Sequence, residues 1–243
     1  SGNILAFTLI DSLVGLDSAD TFIFADGASL DGTIDGGTGI DLLDYSAYQT
    51  DITVNLAVGT ATGTGGVSNI ENVTGGVGND TIIGSAVANI LIGNAGNDVI
   101  TGVAGDDTLI GGIGNDILTG DAGNDFYPFD AGWGVDTVIE LAGGGNDTLD
   151  FTALTTDLHF ALSGLTITDG LGNQVSHVGN FIESLLGGSG DDTFALSDGF
   201  VSVAAINGRS GDDTLTFAGY STARTVTLMG QGTLDGFDGT ASG

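Results

Sequence analysis

Read in nines, residues 75–128 run GGVGNDTII (75–83), GSAVANILI (84–92), GNAGNDVIT (93–101), GVAGDDTLI (102–110), GGIGNDILT (111–119) and GDAGNDFYP (120–128). Six consecutive blocks hold one phase. The first position is Gly in all six; the fourth is Gly and the sixth Asp in five, the second block departing with Val87 and Asn89. The eighth position is always large and apolar or aromatic: Ile82, Leu91, Ile100, Leu109, Leu118 and Tyr127. Only the last three residues of a block alternate as a strand does, which predicts very short strands with the eighth side chain pointing inward. The first six residues must turn the chain sharply, and glycine reaches positive φ there without steric cost. Such turns leave backbone carbonyls pointing off the loop, and the sixth-position Asp sets a carboxylate beside them. Two nines make one coil, so stacked partners lie 18 residues apart: Asp80 with Asp98, Asp98 with Asp116, Asp107 with Asp125.

The composition around this array narrows the function. The 243 residues include 32 acidic side chains, two basic ones (Arg209 and Arg224), 45 glycines, one proline and no cysteine, for a net charge of −30. That balance excludes nucleic-acid binding by phosphate neutralisation and docking on anionic lipid. No stretch approaches the roughly 20 apolar residues of a membrane-spanning helix. Without cysteine there is no disulfide, thiolate metal site or thiol nucleophile. Yet 41% of residues are hydrophobic, too many for a disordered acidic chain. A folded chain must therefore bring about thirty uncompensated negative charges together, and self-repulsion opposes that. Positive charge has to come from outside, and a hard divalent cation suits Asp oxygens and backbone carbonyls. The helix formers Lys, Glu, Arg, Gln and Met are nearly missing, while Gly, Asp, Thr, Ile, Val and Leu dominate. The fold class is all-β, with short strands and tight turns.

The phrase GGxGxD followed by x-apolar-x resembles the haemolysin-type, or RTX, calcium-binding nonapeptide repeat. The resemblance implies an elongated, right-handed parallel β-roll or β-helix-like solenoid with Ca²⁺ between stacked turns. Several ions would be held by the sixth-position Asp and by carbonyls of the glycine-rich loops. In the array this implies Asp80, Asp98, Asp107, Asp116 and Asp125, with the carbonyls of Gly76, Gly78, Gly96, Gly105, Gly112, Gly114 and Gly123. Isolated blocks GGTGIDLLD (36–44), AGWGVDTVI (131–139), AGGGNDTLD (142–150), GGSGDDTFA (187–195) and GRSGDDTLT (208–216) add Asp41, Asp136, Asp147, Asp192 and Asp213. GLDSADTFI (15–23) keeps Asp20 but has Ser18 at the fourth position. The blocks at 131 and 142 each slip by two residues, which predicts widened turns.

A second pattern joins the isolated blocks. LLDYSAYQTDITVNLAVGTATG (42–63), TLDFTALTTDLHFALSGLTITD (148–169) and TLTFAGYSTARTVTLMGQGTLD (214–235) share an acid or Thr, an aromatic, a small polar stretch and an alternating run. The first two lead to Ile70-Glu71-Asn72-Val73 and Phe181-Ile182-Glu183-Ser184-Leu185, which restart the nonapeptide. The segments 45–72, 151–183 and 217–243 are expected to form longer rungs on the same axis. LIDSLVGLDSADTF (9–22) aligns with FIESLLGGSGDDTF (181–194), so the sequence is read as one piece of a longer tandem array. The expected organisation is the end of a preceding module at 1–35, longer β rungs at 36–74, the core β-roll at 75–150, and further rungs with calcium blocks at 151–243, continuing into a next module.

Competing chemistries find little support. No GxSxG elbow is present, and His159 and His177 stand 18 apart without a Cys or second His beside either. His159 sits in an alternating strand and is expected to face solvent or a neighbouring rung. Asn79, Asn97, Asn115 and Asn124 at the fifth position are expected to tolerate left-handed backbone geometry. Tyr127, Phe129 and Trp133 cluster where the array breaks phase and are read as a core plug. Third-position residues (Val77, Ala86, Ala95, Ala104, Ile113, Ala122) are apolar and irregular, which argues against an ice-binding face. The expected function is non-catalytic: a calcium-binding structural module of a secreted or cell-surface bacterial protein, in an adhesin stalk, surface layer or extracellular fibre. It would fold on meeting calcium outside the cell, and the resemblance implies export by type I secretion. Its expected partners are calcium and neighbouring modules or copies of itself end to end. The alternatives are the secretion tail of an extracellular hydrolase and a calcium-dependent carbohydrate-binding module.

Overall fold

Ile82, Leu91, Ile100, Leu109, Leu118 and Tyr127 are all fully buried, so the array winds around its own eighth-position side chains. A computed structural model describes residues 10–141, 144–178, 181–198 and 203–221. Among these residues every regular element is a strand. Alternate nonapeptides pair in parallel two blocks apart, Ile90 with Thr108, Val99 with Ile117 and Thr108 with Phe126. One set builds a nine-stranded sheet from Thr21–Ile23 to Ala205–Asn207; the other lies in an eleven-stranded sheet from Thr60–Ala61 to Thr214–Gly219. The apolar axis lies between them. A third sheet joins Ser12–Leu16, Thr33–Gly37 and Gly66–Ser68 in parallel. This is the parallel β-roll that the repeat implies.

Strand length departs from expectation. Strands Thr81–Ile83 and Phe126–Pro128 have three residues, but Ile90–Ala95, Val99–Ala104, Thr108–Ile113 and Ile117–Ala122 have six. The inward alternation continues past the eighth position onto the first-position Gly, which is buried and has no side chain to accommodate. The chain then turns at the second position, where Asn94, Val103, Gly112 and Asp121 all have positive φ (76, 86, 104 and 69°). A β-branched valine disfavours that region, so the shared geometry is imposed by the stack rather than by local preference.

The fourth-position glycines need their missing side chain. A Cβ on Gly114 (φ +155) would lie 1.6 Å from the carbonyl oxygen of Gly96 one coil below. Gly114→Ala is expected to destabilise the fold by about 3 kcal/mol, from contact plus an unfavourable φ. A melting curve in saturating calcium checks this; an unchanged midpoint would contradict such close coil spacing.

The segments expected as longer rungs are rungs that also carry antiparallel strands. Asn72–Thr74 and Gln174–Val178 do join the parallel stack. Thr53–Asn55 and His159–Ala161 join it too, against Thr81–Ile83 and Thr193–Ser197; in addition Thr53–Asn55 pairs antiparallel with Thr60–Ala61, and Thr166–Thr168 pairs antiparallel with both His159–Ala161 and Gln174–Val178. The links between these strands are only a few residues long, whereas a parallel crossover needs a dozen or more. Of the third such segment, residues 222–243 lie outside the described residues.

Aromatic side chains fill the wider coils. Phe129 stacks on Phe151 at 4.7 Å and Phe160 on Phe194 at 4.3 Å, with Trp133 edge-on to Phe129 and Phe151. Tyr127, Phe129 and Trp133 are buried, as a core plug requires.

Candidate metal centres

The sixth-position Asp stands just before each strand with its side chain turned into the stack. Its Oδ1 accepts the backbone N–H of the corresponding residue one coil earlier. Asp80 N–H donates to Asp98 (2.7 Å), Asp98 N–H to Asp116 (2.8 Å) and Asp107 N–H to Asp125 (2.9 Å), each 18 residues along. The expected partners are therefore the observed ones. Where the phase slips the ladder continues at wider spacing: Asp116 N–H to Asp136 across 20 residues and Asp125 N–H to Asp147 across 22. Asp20 N–H donates to Asp41, Leu158 N–H to Asp192, and Asp192 N–H to Asp213. Every predicted Asp thus lies in a ladder along one side of the stack or the other.

Two further members are glutamates. Asp41 N–H donates to Glu71 Oε2 across 30 residues, and Asp147 N–H to Glu183 Oε2 across 36. Neither belongs to the predicted site set. The spacing carries the signal: each stands two residues before a buried apolar residue, Val73 or Leu185, as each array Asp does. The longer side chain reaches the same amide from a lengthened coil.

The second carboxylate oxygen is what sets these residues apart. The Oδ2 atoms of Asp41, Asp98, Asp107, Asp116, Asp125, Asp147 and Asp213 are buried and have no hydrogen-bond donor. Asp80 and Asp192 differ, their Oδ2 accepting from Gly76 and Gly188 N–H (2.7 and 2.9 Å). Asn89 provides the internal contrast. Its Oδ1 accepts from Ser85 N–H (2.7 Å) and its Nδ2 donates to the Glu71 carbonyl (2.6 Å), so the amide satisfies itself within the protein. A buried unpaired polar atom costs about 1–3 kcal/mol, more if charged. Repeated at seven turns, the pattern fits a cation-binding role rather than a local accident.

The glycine loops bring backbone carbonyls beside these carboxylate oxygens. A Cβ on Gly93 would fall 2.1 Å from Asp98 Oδ2 and 2.6 Å from the Gly111 carbonyl oxygen; the first-position glycine leaves the space where carboxylate and carbonyl converge. Hard oxygens of both kinds are what calcium takes. Gly78, Gly96 and Gly114 stack carbonyl over Cα along one side, and Gly105 and Gly123 along the other. Gly76 packs against the Tyr48 carbonyl and Gly112 against that of Asn94.

The electrostatics agree with the geometry. Burial pushes the carboxyls of Asp98 and Asp107 up to about 7, and of Asp136 and Glu140 up to about 8, with neighbouring carboxylates adding to the rise. Asp147 and Asp192 are raised to about 6, and Asp80, Asp116 and Asp125 are raised as well, burial again leading.

The fifth-position residues do something other than expected. Asn79, Asn97, Asn115 and Asn124 lack positive φ. Their side chains form a second, exposed ladder running the opposite way: Asn97 N–H donates to Asn79 Oδ1, Asn115 N–H to Asn97 Oδ1 and Asn146 N–H to Asn124 Oδ1 (2.7–2.9 Å). Neighbouring coils are therefore stitched in both directions. His159 is exposed, as its strand position predicts, while His177 is buried.

A family model of the RTX calcium-binding nonapeptide repeat matches the chain in four copies, at residues 65–100, 74–108, 92–127 and 177–199. No curated protein matches the chain. The ladder extends beyond the matched copies, to Asp41, Asp136, Asp147 and Asp213, through the same amide-to-carboxylate bond.

Proposed function

We propose that this chain, a calcium-binding module built on RTX nonapeptide repeats, is a non-catalytic structural element of a secreted or cell-surface protein, locked into shape by calcium outside the cell. The observation that carries the reading is the row of buried, donorless carboxylate oxygens. With them unneutralised, the stack holds desolvated like charges; with an ion in each turn, those charges join one coil to the next. Extracellular modules bind calcium with dissociation constants of roughly 10⁻⁴ to 10⁻³ M, which separates a calcium-poor cytoplasm from the millimolar exterior. The −30 charge favours a loose chain during export and a compact one afterwards. A stalk, surface-layer or fibre element is the setting best suited to a tandem stack, which tolerates end-to-end repetition.

Asp98→Ala against Asp20→Ala tests the arrangement. Asp98 lies between Asp80 and Asp116, is 1% exposed and leaves the Asp80 amide without an acceptor when truncated. Asp20 is half-buried at the end of its ladder. In millimolar calcium, Asp98→Ala should cost about 1–3 kcal/mol more than Asp20→Ala. Equal melting shifts would contradict ions held between coils.

A further inference from the structure

Among the described residues, one turn has a donor set unlike the others. Where the coil lengthens to 22 residues between Asp125 and Asp147, Glu140 enters the stack, and one carboxylate oxygen from each of these three residues lies within 4.8 Å of the other two. All three are buried, Glu140 being 1% exposed, and Asp125 Oδ2, Asp147 Oδ2 and Glu140 Oε2 have no donor. Glu140 Oε1 accepts from the Tyr127 hydroxyl, which orients the carboxylate. In the turns below, a Cβ on Gly75, Gly84, Gly93 or Gly102 would meet the next coil's glycine carbonyl at 2.6–2.9 Å; on Gly120 it would meet Asp125 Oδ2 at 2.2 Å and Glu140 Oε1 at 2.4 Å. A second carboxylate thus reaches the space beside Asp125. The Asp121 and Leu141 carbonyls lie 2.7 and 3.3 Å from where a Cβ on Gly144 would sit, on the side of Glu140 Oε2.

We propose that Asp125, Glu140 and Asp147 form a three-carboxylate site for a hard cation, distinct from the two-carboxylate turns, that fills first and fixes the register of the lengthened coil. The inference rests on the calcium reading above and deepens it. Affinity in oxygen-donor sites rises with ligand charge, so the third carboxylate raises affinity for calcium and raises it further for a trivalent ion. Tyr127 makes the site self-reporting, because a phenol ring beside the carboxylates sensitises the emission of bound terbium.

The test is titration of the whole chain with Tb³⁺ alone and with Ca²⁺ alone. In the unaltered protein the first equivalent of Tb³⁺ should emit on tyrosine excitation, and Ca²⁺ should show one site tighter than the rest. Glu140→Gln keeps the side-chain size and the acceptor for Tyr127. It should abolish the first-filling event, lowering that site's affinity at least about tenfold, while the weaker sites remain. Tyr127→Phe should keep the calcium count and lose the early emission, which serves as the readout if Glu140→Gln fails to fold. Calcium binding with an unchanged filling order in Glu140→Gln, or early emission surviving in Tyr127→Phe, would overturn the site and leave the calcium module standing. A chain that binds neither ion would overturn both.

Discussion

In chelator at neutral pH the chain should lose most of its β-sheet circular dichroism, and calcium should restore it in one cooperative step. The seven donorless Asp oxygens are spread along both sides of the stack, from Asp41 to Asp213. Emptying the sites therefore loosens many coils at once. Binding only to the folded state stabilises it by about 2.7 kcal/mol per site at a hundredfold excess of ion over Kd. A few such sites are comparable to the total stability of a typical domain, about 5–15 kcal/mol. Cooperativity follows because each coil bonds only to its neighbours. A spectrum and melting temperature indifferent to calcium would discard the mechanism.

The second large effect is an inverted pH dependence without metal. Carboxylates that are ion-paired or fully hydrogen-bonded in a folded protein are stabilised as anions, and acid unfolds such proteins. Here the folded-state pKa values are raised above the ordinary carboxylate value: about 7 for Asp98 and Asp107, about 8 for Asp136 and Glu140, about 6 for Asp147 and Asp192. The folded chain then binds more protons than the unfolded one between about pH 4 and pH 8, so its stability falls as pH rises through that window. In chelator, acidification from pH 8 towards pH 5 should restore β-structure, protons standing in for the ion. With calcium present the trend should flatten or reverse, because protons now compete with the metal. Denaturant midpoints measured across this range, with and without calcium, decide the matter. A metal-free chain most stable at pH 8 would refute the buried, unpaired state of these carboxyls.

Much of this was legible in the sequence because the repeat is redundant. Asp80, Asp98 and Asp116 stand 18 apart, and the observed bonds join those residues. The two-residue slips at 131 and 142 anticipated the 20- and 22-residue spacings. What escaped had no repetition to reveal it. Glu140 belongs to no nonapeptide position and reaches the ladder only because the coil around it is long. Glu71 and Glu183 hold the position-six place with a different side chain, and only the distance to Val73 and Leu185 marks them. The fifth-position asparagines looked like turn formers because Asn tolerates left-handed backbone; in the stack, bonding across coils decides their role instead. The longer rungs of 45–72 and 151–183 are present, and the antiparallel strands beside them escape the sequence because alternation reveals a strand but not its direction.

The spacing along the ladders has an architectural consequence. The amide-to-carboxylate bond is the same whether 18, 22 or 36 residues separate its partners. Doubling the length of a connecting segment costs only about 0.6 kcal/mol in closure entropy. The axis is thus indifferent to how long each coil runs between its ladder partners: the strands of 159–178 take their places inside the eleven-stranded sheet, and the exposed bend at 170–172 stands off it. New segments grafted at that bend would ride on the solenoid without altering its course, which makes the stack a mounting rail whose cargo can change while its foundations stay put.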